Sequence, residues 1–454
     1  LQEAILIDSL EAVKRLLVVD QNQDDENVLG QSPLHLAVWR PQHLQFMLQA
    51  GFDVNARDWN GRTPLMYAAA AGMTETAISL VRAGADIWIQ DNLYRKHRWF
   101  HYAVLSSHWQ LVLDVIDIIR QSLRFSPNEV QTLLDSTIKL WANETDGVVG
   151  IKKSEHFTSL LNWGADPEVR FSAKWLVYKA SSNTLLHCIT TCTDFNTLLS
   201  SGFTSFNYPN STGCNALMTQ LEAGNPELIQ KSITSGCNID QQDNRGRTAL
   251  HVCAEIIRST IMSINARDSD FRFQILKCTG VLMCSDANPF LGDCCRCACS
   301  TSGCTPSNML LKDFNQKIRD IPHRSYPLTM HSWVNHWFRL LKKVEKDFEH
   351  SRPFFLEIIR LSKFEQLKLT HTCCRFVDHG DRHWITLDEE DVVEILEEEE
   401  ELSAVLEQEM GALERCSIPE LEALWLGETD RLMQIQSENF QDISTSVINL
   451  AVDI

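Results

Sequence analysis

The chain has 454 residues, 44 % of them hydrophobic and 22 % charged, with a formal net charge of −19. That length exceeds one ordinary core and predicts two or three domains or one extended array, while the composition is that of an ordered globular protein. The acidic balance excludes a nucleic-acid binder, which needs a concentrated basic surface, and no apolar run approaches the eighteen residues of a membrane span.

The opening "LQEAILIDSL" has neither the basic start nor the apolar run of a secretory signal. The expectation is therefore a cytoplasmic or nuclear setting, in which the fifteen cysteines stay reduced unless some hold a metal. The chain opens on Leu rather than Met, as a fragment or an incomplete gene model would.

In chain order, "SLEAVKRLL" from Ser9 reads as the second helix of a leading partial repeat. "GQSPLHLAV" follows from Gly30, and "GRTPLMYAAAAGMTETAISLVRAGADI" from Gly61. "RWFHYAV" from Arg98 and "HFTSLLNWGADPEV" from His156 are worn copies. "NTLLHCI" begins at Asn183, "GCNALMTQLEAGNPELIQKSITSGCNI" at Gly213 and "GRTALHVCA" at Gly246, thirty-three residues later. Each position has a physical task. Gly supplies a turn with positive φ, Thr63 caps a helix and Pro64 suits its first turn. Leu65 and Ala68 face inward, Ala69 to Ala71 keep that helix thin, Gly72 ends it, and Gly84 closes the second helix.

This grammar resembles the ankyrin repeat, and Gly61–Asp86 follows the family pattern nearly position by position. The resemblance implies an all-α fold: an ankyrin-repeat solenoid followed by a helical C-terminal region. The expected organisation is N-terminal repeats over 1–125, degenerate helical repeats over 126–180, C-terminal repeats over 181–306 and a helical region over 307–454. The family uses the His of its helix start for hydrogen bonds between neighbouring repeats, which gives His35, His187 and His251 a structural task.

"GDCCRCACSTSGCTP" at 292–306 interrupts this pattern. Ala287-Asn288-Pro289 ends one repeat and Gly303-Cys304-Thr305-Pro306 starts another, so the stretch 292–304 reads as an insertion into an inter-repeat hairpin. Cys295, Cys297 and Cys299 would share one side of a strand. Residues four apart there lie about 13 Å apart, whereas zinc holds thiolates at about 2.3 Å, so the segment must curl to close on one ion. Cys304 supplies a fourth donor, Cys294 and Cys297 form a Cys-x-x-Cys grip, and His371, Cys373 and Cys374 offer alternates downstream. A structural zinc, reduced thiols on a decorated turn, and redox or disulfide chemistry remain the alternatives. The insertion, the array and the downstream Leu-Thr-His-Thr-Cys-Cys together are similar to a group of fungal ankyrin-repeat proteins, a resemblance that implies architecture rather than a reaction.

Beyond Asn308 the pattern is helical without repeats. Trp333, Trp337, Leu340, Leu341 and Val344 make one amphipathic face. An acidic helix is expected over 387–415, with Val392, Leu396, Leu402, Leu406, Met410 and Leu413 as its apolar stripe. It reads as a solvated helix lying on the array, or as a coiled-coil or docking helix for a basic partner.

No phosphate-binding loop, dinucleotide fingerprint, His-Glu-x-x-His or nucleophile elbow occurs. The expected function is therefore non-enzymatic binding: a monomeric scaffold or adaptor that holds a protein partner on the concave ankyrin surface. Hairpin positions Arg57, Trp59, Arg62, Trp88, Gln90, Tyr94, Gln241, Gln242 and Arg245 are the candidate contacts, because Trp, Tyr and Arg dominate interface energetics. Trp59 and Trp88 lead, and the acidic balance favours a partner with basic patches. The contrasting reading is a thiol-rich zinc-binding C-terminal module with its own activity, carried by the array.

Overall fold

The computed structural model describes residues 1–19, 26–143, 153–172, 182–261, 266–294, 297, 299–300, 303–311, 351–370, 375–376, 384–385 and 389–434. These residues are mostly helical, and among them no helix is long and apolar enough to cross a membrane. By packing, the chain divides into one unit of residues 1–179 with 196–204 and another of 180–195 with 205–454.

The first unit stacks antiparallel helix pairs. Pro33–Leu36 precedes Pro41–Gln49, Pro64–Ala70 precedes Thr74–Arg82, and Trp99–Leu105 precedes Trp109–Gln121. The second pair shows why this sequence folds so. Thr63 Oγ1 accepts the Met66 N–H at 3.4 Å, and Pro64 fills the first helical turn, where no N–H is needed. Leu65, Ala68, Ala69, Ala77 and Leu80 are buried, and each fully buried Leu contributes about 2 kcal/mol through apolar area removed from water. Gly72 ends the first helix at φ +69, and a Cβ there would lie 2.7 Å from the His108 ring, so only Gly fits.

The pair Pro127–Asn143 and Lys153–Asn162 keeps half of this pattern. Its second helix closes as the others do, with Ala165 N–H on Leu160 O at 3.0 Å, against 2.9 Å for Ala85 on Leu80. Its first helix runs seventeen residues where Pro64–Ala70 runs seven. Trp141 stacked on Phe157, 4.3 Å between ring centres, fills the space that small alanines leave elsewhere.

In the second unit the repeat starts at Asn183, Gly213 and Gly246 are followed by two longer helices, Ala249–Ile261 and Ala266–Cys284. A loop closed by hydrogen bonds between Asp293 and Cys304 comes next, then Pro306–Leu311, Ser351–Gln366, Glu400–Leu413 and Ile418–Gln434. Asn308 Nδ2 donates to Glu357 at 2.9 Å, joining the last repeat-like helix to Ser351–Gln366.

Two expectations for this region change. The acidic stretch is two helices, Glu389–Glu398 and Glu400–Leu413, because Glu399 leaves the pattern to accept the Thr370 N–H at 2.9 Å. Of its expected stripe, Leu406 and Met410 are buried while Leu396 and Leu402 are exposed. The second helix is not simply solvated: buried Arg360 pairs with Glu407, and Lys363 reaches Glu409 at 3.3 Å. The region also contains a short antiparallel pair, Arg375–Phe376 with Trp384–Ile385. Aromatic and β-branched residues on either side of a Gly-Asp turn signal, "RFVDHGDRHWI", carry this hairpin, a pattern the helical reading passed over. Trp333, Trp337, Leu340, Leu341 and Val344 lie outside the described residues.

Candidate functional site

The hairpins between repeats are built on one device. An Asp or Asn accepts on its side chain the N–H of the residue just before the next helix cap, which closes the loop. Asn27 takes the Gln31 N–H at 3.0 Å, Asp58 that of Arg62 at 2.7 Å and Asp91 that of His97 at 3.0 Å. In the second unit Asn210 takes Cys214 at 3.1 Å, Asp243 takes Arg247 at 2.8 Å and Asp293 takes Cys304 at 2.8 Å. Successive tips are then laced by backbone. Trp59 donates to Leu29 O, Asn92 to Asn60 O, Asn244 to Thr212 O and Cys294 to Arg245 O, at 2.7 to 3.2 Å.

Histidines lace the helix starts. His35 Nδ1 accepts the Ser32 N–H at 3.1 Å, so Nε2 carries the proton and donates to Arg62 O at 2.9 Å. His187 does the same from Thr184 to Cys214 O, and His251 from Thr248 to Cys304 O. Burial lowers the pKa of His35 and brings His187 down to about 4, so both stay neutral at neutral pH. Both ring nitrogens of all three are committed to the fold.

Several predicted contact residues belong to this framework. Arg62 pairs with Asp58 at 2.8 Å and lies over the Tyr67 ring. Burial works to raise the Asp58 carboxyl, but hydrogen bonds from the Arg62 backbone, Tyr67 and the Arg62 side chain outweigh it and hold it low. Arg57 ties its tip to the next through Gln90 O at 2.7 Å and Asn92 at 3.1 Å. Gln242 plays the same part, bonding Gly246 O and Gly292 O, and Gln241 approaches Gly213 O at 3.5 Å. Arg245 is exposed and its carbonyl accepts the Cys294 N–H.

The two leading tryptophans separate. Trp88 is half-buried, with the Arg98 guanidinium 5.3 Å above its ring. Trp59 is 70 % exposed, and its indole lies over Gly30, where a Cβ would be only 2.2 Å from the ring. Tyr94 is fully exposed. The tips also expose Val28, Leu29 and Leu93, which a search for Trp, Tyr and Arg missed although each stands as an apolar residue within a polar loop. Val28, Leu29, Trp59, Leu93 and Tyr94 thus form a row of apolar side chains on three consecutive tips of the first unit. Arg95 and Lys96, both exposed, border its end.

Among the cysteines, Cys294 is exposed whereas Cys297, Cys299 and Cys304 are buried. The Ser300 N–H bonds Cys297 O at 3.2 Å, so the segment turns here and is no straight strand. Cys299 and Cys304 bring their sulfurs within 3.7 Å. Among the described residues no group of three or more His, Cys, Asp or Glu is arranged to hold an ion; Cys295, His371, Cys373 and Cys374 lie outside them. Burial pushes the Cys237 and Cys278 thiols up to about 12, which leaves them inert packing groups.

Comparison with known proteins agrees with this geometry. Residues 1–91 match the ankyrin-repeat family in three copies. A 76-residue stretch is 38 % identical to the ADP-ribosylation factor GTPase-activating protein AGD2 of Arabidopsis thaliana, covering 16 % of this chain. The chain spans only about a tenth of the length of that protein.

Proposed function

With residues 1–91 taken as ankyrin repeats, the family whose role is protein interaction, we propose that this chain is a non-enzymatic scaffold or adaptor. It acts as a monomer in the cytoplasm or nucleus and holds a protein partner on the hairpin tips of its first unit. The observation that carries this reading is the row Val28, Leu29, Trp59, Leu93 and Tyr94, exposed on loops whose backbones are fixed by Asn27, Asp58 and Asp91 side chains and by tip-to-tip hydrogen bonds. Large side chains on a rigid frame bind with little ordering cost, the condition under which such residues become hot spots. The whole chain is acidic, yet Arg95 and Lys96 make this end locally basic. The partner segment that meets Tyr94 therefore carries apolar side chains bordered by acids, a revision of the basic partner that net charge favoured.

Similarity over one tenth of a GTPase-activating protein gives no ground for assigning that activity here. His35, His187 and His251 each bond the carbonyl before the next helix start and hold neighbouring repeats together. The test is affinity capture with the full chain, its Trp59→Ala and Tyr94→Ala variants, and a Leu105→Ala control that alters an exposed residue at the end of helix Trp99–Leu105, within a helix pair rather than on a tip. A partner kept by the parent and the control and lost at least tenfold by the tip variants supports the reading. A partner kept by all four chains removes the tips from the function.

A further inference from the structure

The second helices of three successive pairs in the first unit, Thr74–Arg82, Trp109–Gln121 and Lys153–Asn162, border a groove of about 420 Å³. Two aromatic contacts join the last two of these helices. Near their starts Trp109 stacks on His156, ring centres 5.4 Å apart; at their far ends the Arg120 guanidinium lies 4.9 Å over the Trp163 ring. Trp109 and Arg120 are eleven positions apart, about 16 Å of helix axis at 1.5 Å per residue. Between them Leu113, Asp114, Asp117 and Ile118 leave one face of their helix at three- and four-residue steps and line the groove. Glu155 and Trp163 face it from the last helix and Ile78 from the first.

Two kinds of surface meet here. Ile78, Ile118 and Trp163 are only half-buried, so each keeps apolar area that a ligand can cover. Asp114, Asp117 and Glu155 add three carboxylates, and among the described residues the lining contains no Lys or Arg. Asp117 is already met by Arg120 at 3.4 Å and by the Gln121 amide at 2.7 Å. Asp114 accepts the Gln110 amide at 2.8 Å, and among the described residues neither it nor Glu155 is paired with a cation. Arg120 shows the recognition that this wall offers, because its guanidinium lies over an indole and pairs with a carboxylate at once. Carboxylates on a flat surface would simply be solvated. Carboxylates above half-covered apolar side chains select a cation carried on an apolar stem, whose methylenes lie on the apolar wall while its head reaches the acids.

We propose that this groove docks a basic segment of a partner protein, an extended stretch in which Lys or Arg stand among apolar residues. Its cations meet Asp114 and Glu155, and its stems and apolar side chains cover Ile78, Ile118 and Trp163. About five extended residues, at about 3.3 Å each, span the length between the two aromatic contacts. The hairpin tips of the same unit select acids in the segment they hold. The groove selects the opposite charge, so it is a second site that goes beyond the reading of the tips, and either can fail without the other.

The probe is a fluorescein-labelled hexapeptide alternating lysine with leucine, titrated with the full chain at physiological ionic strength and read by anisotropy. Asp114→Asn with Glu155→Gln removes two charges from the groove. Glu3→Gln with Glu11→Gln removes as many exposed charges from the first two helices of the unit, and Trp59→Ala alters a tip. Expected is saturable binding to the parent, weakened about tenfold or more in the groove variant and less than about twofold in the other two. Acetylating the peptide's lysines should weaken it about as much as the groove variant does. A second measurement needs no substitution: a photo-crosslinking copy of the peptide should label residues 110–118 or 155–163 of the parent chain. No saturable binding, equal losses in the two double variants, labelling elsewhere, or displacement of the peptide by an equal concentration of spermine would overturn the proposal. Equal losses would reduce it to general attraction by an acidic chain, and displacement would make the groove a site for a free polyamine.

Discussion

The hairpins at Asp58 and Asp243 carry the same sequence device and put it to different physical use. In both, the carboxylate closes the loop through the backbone N–H four residues on and pairs with that residue's guanidinium, Arg62 in one and Arg247 in the other. Arg62 keeps 29 % of its side chain in water and covers Tyr67, whose hydroxyl donates to Asp58 at 2.8 Å. Arg247 keeps 6 %, and its other nitrogen pairs with buried Glu255 at 2.8 Å. Burial and the neighbouring Glu255 charge also push Glu222 up to about 7. One hairpin therefore keeps its cation partly in water above a buried carboxylate; the other sets one cation among several carboxyl groups away from solvent. A motif specifies the pairing, and the neighbouring helix decides how much depends on it.

Removing each cation in turn is the strongest way to break this comparison. Arg247→Ala deprives buried Asp243 and Glu255 of their cation and should cost about 3–5 kcal/mol in the second unit. Denaturant unfolding, with hydrogen exchange over 243–257 to assign the transition, checks it. A loss below about 1 kcal/mol would mean that Glu255 simply takes up a proton there.

The histidine ties are a point on which the two units agree, and pH probes them. His187 titrates near 4 in the folded chain against an ordinary 6.5, so between those values the unfolded chain binds the proton and the folded chain does not. Its stabilising neutrality is complete above pH 6.5 and is lost as pH falls towards 4, by about 3 kcal/mol over the window. Unfolding midpoints of the parent and His187→Gln across that range should converge towards acid. Parallel curves would show that another group carries the dependence.

Arg62→Ala should have the smallest effect, about 1–2 kcal/mol by the same unfolding measurement, because buried Asp58 loses one partner but keeps the N–H of residue 62 and the Tyr67 hydroxyl. A cost equal to that of Arg247→Ala would erase the distinction between the two hairpins.

The sequence by itself determined what is local. Gly turns, Thr-Pro caps and the His of the helix start recur along the chain, and each acts on residues within a few positions of itself, so the repeats were legible from residues such as Gly61 and Thr63. It was also enough to name Trp59 and Tyr94 as candidate contacts. Which tip residues face solvent was decided only by the tertiary structure. Trp88 and Trp59 are the same residue on neighbouring loops, yet Arg98 from its own hairpin covers one, and Gly30 from the preceding hairpin leaves room for the other to lie outside. The break at Glu399 and the burial of Arg360 are likewise set by partners 29 and 47 residues away. Periodicity reports which way a side chain leaves its own helix; what waits there is supplied by distant chain, and burial and charge pairing are fixed at that contact.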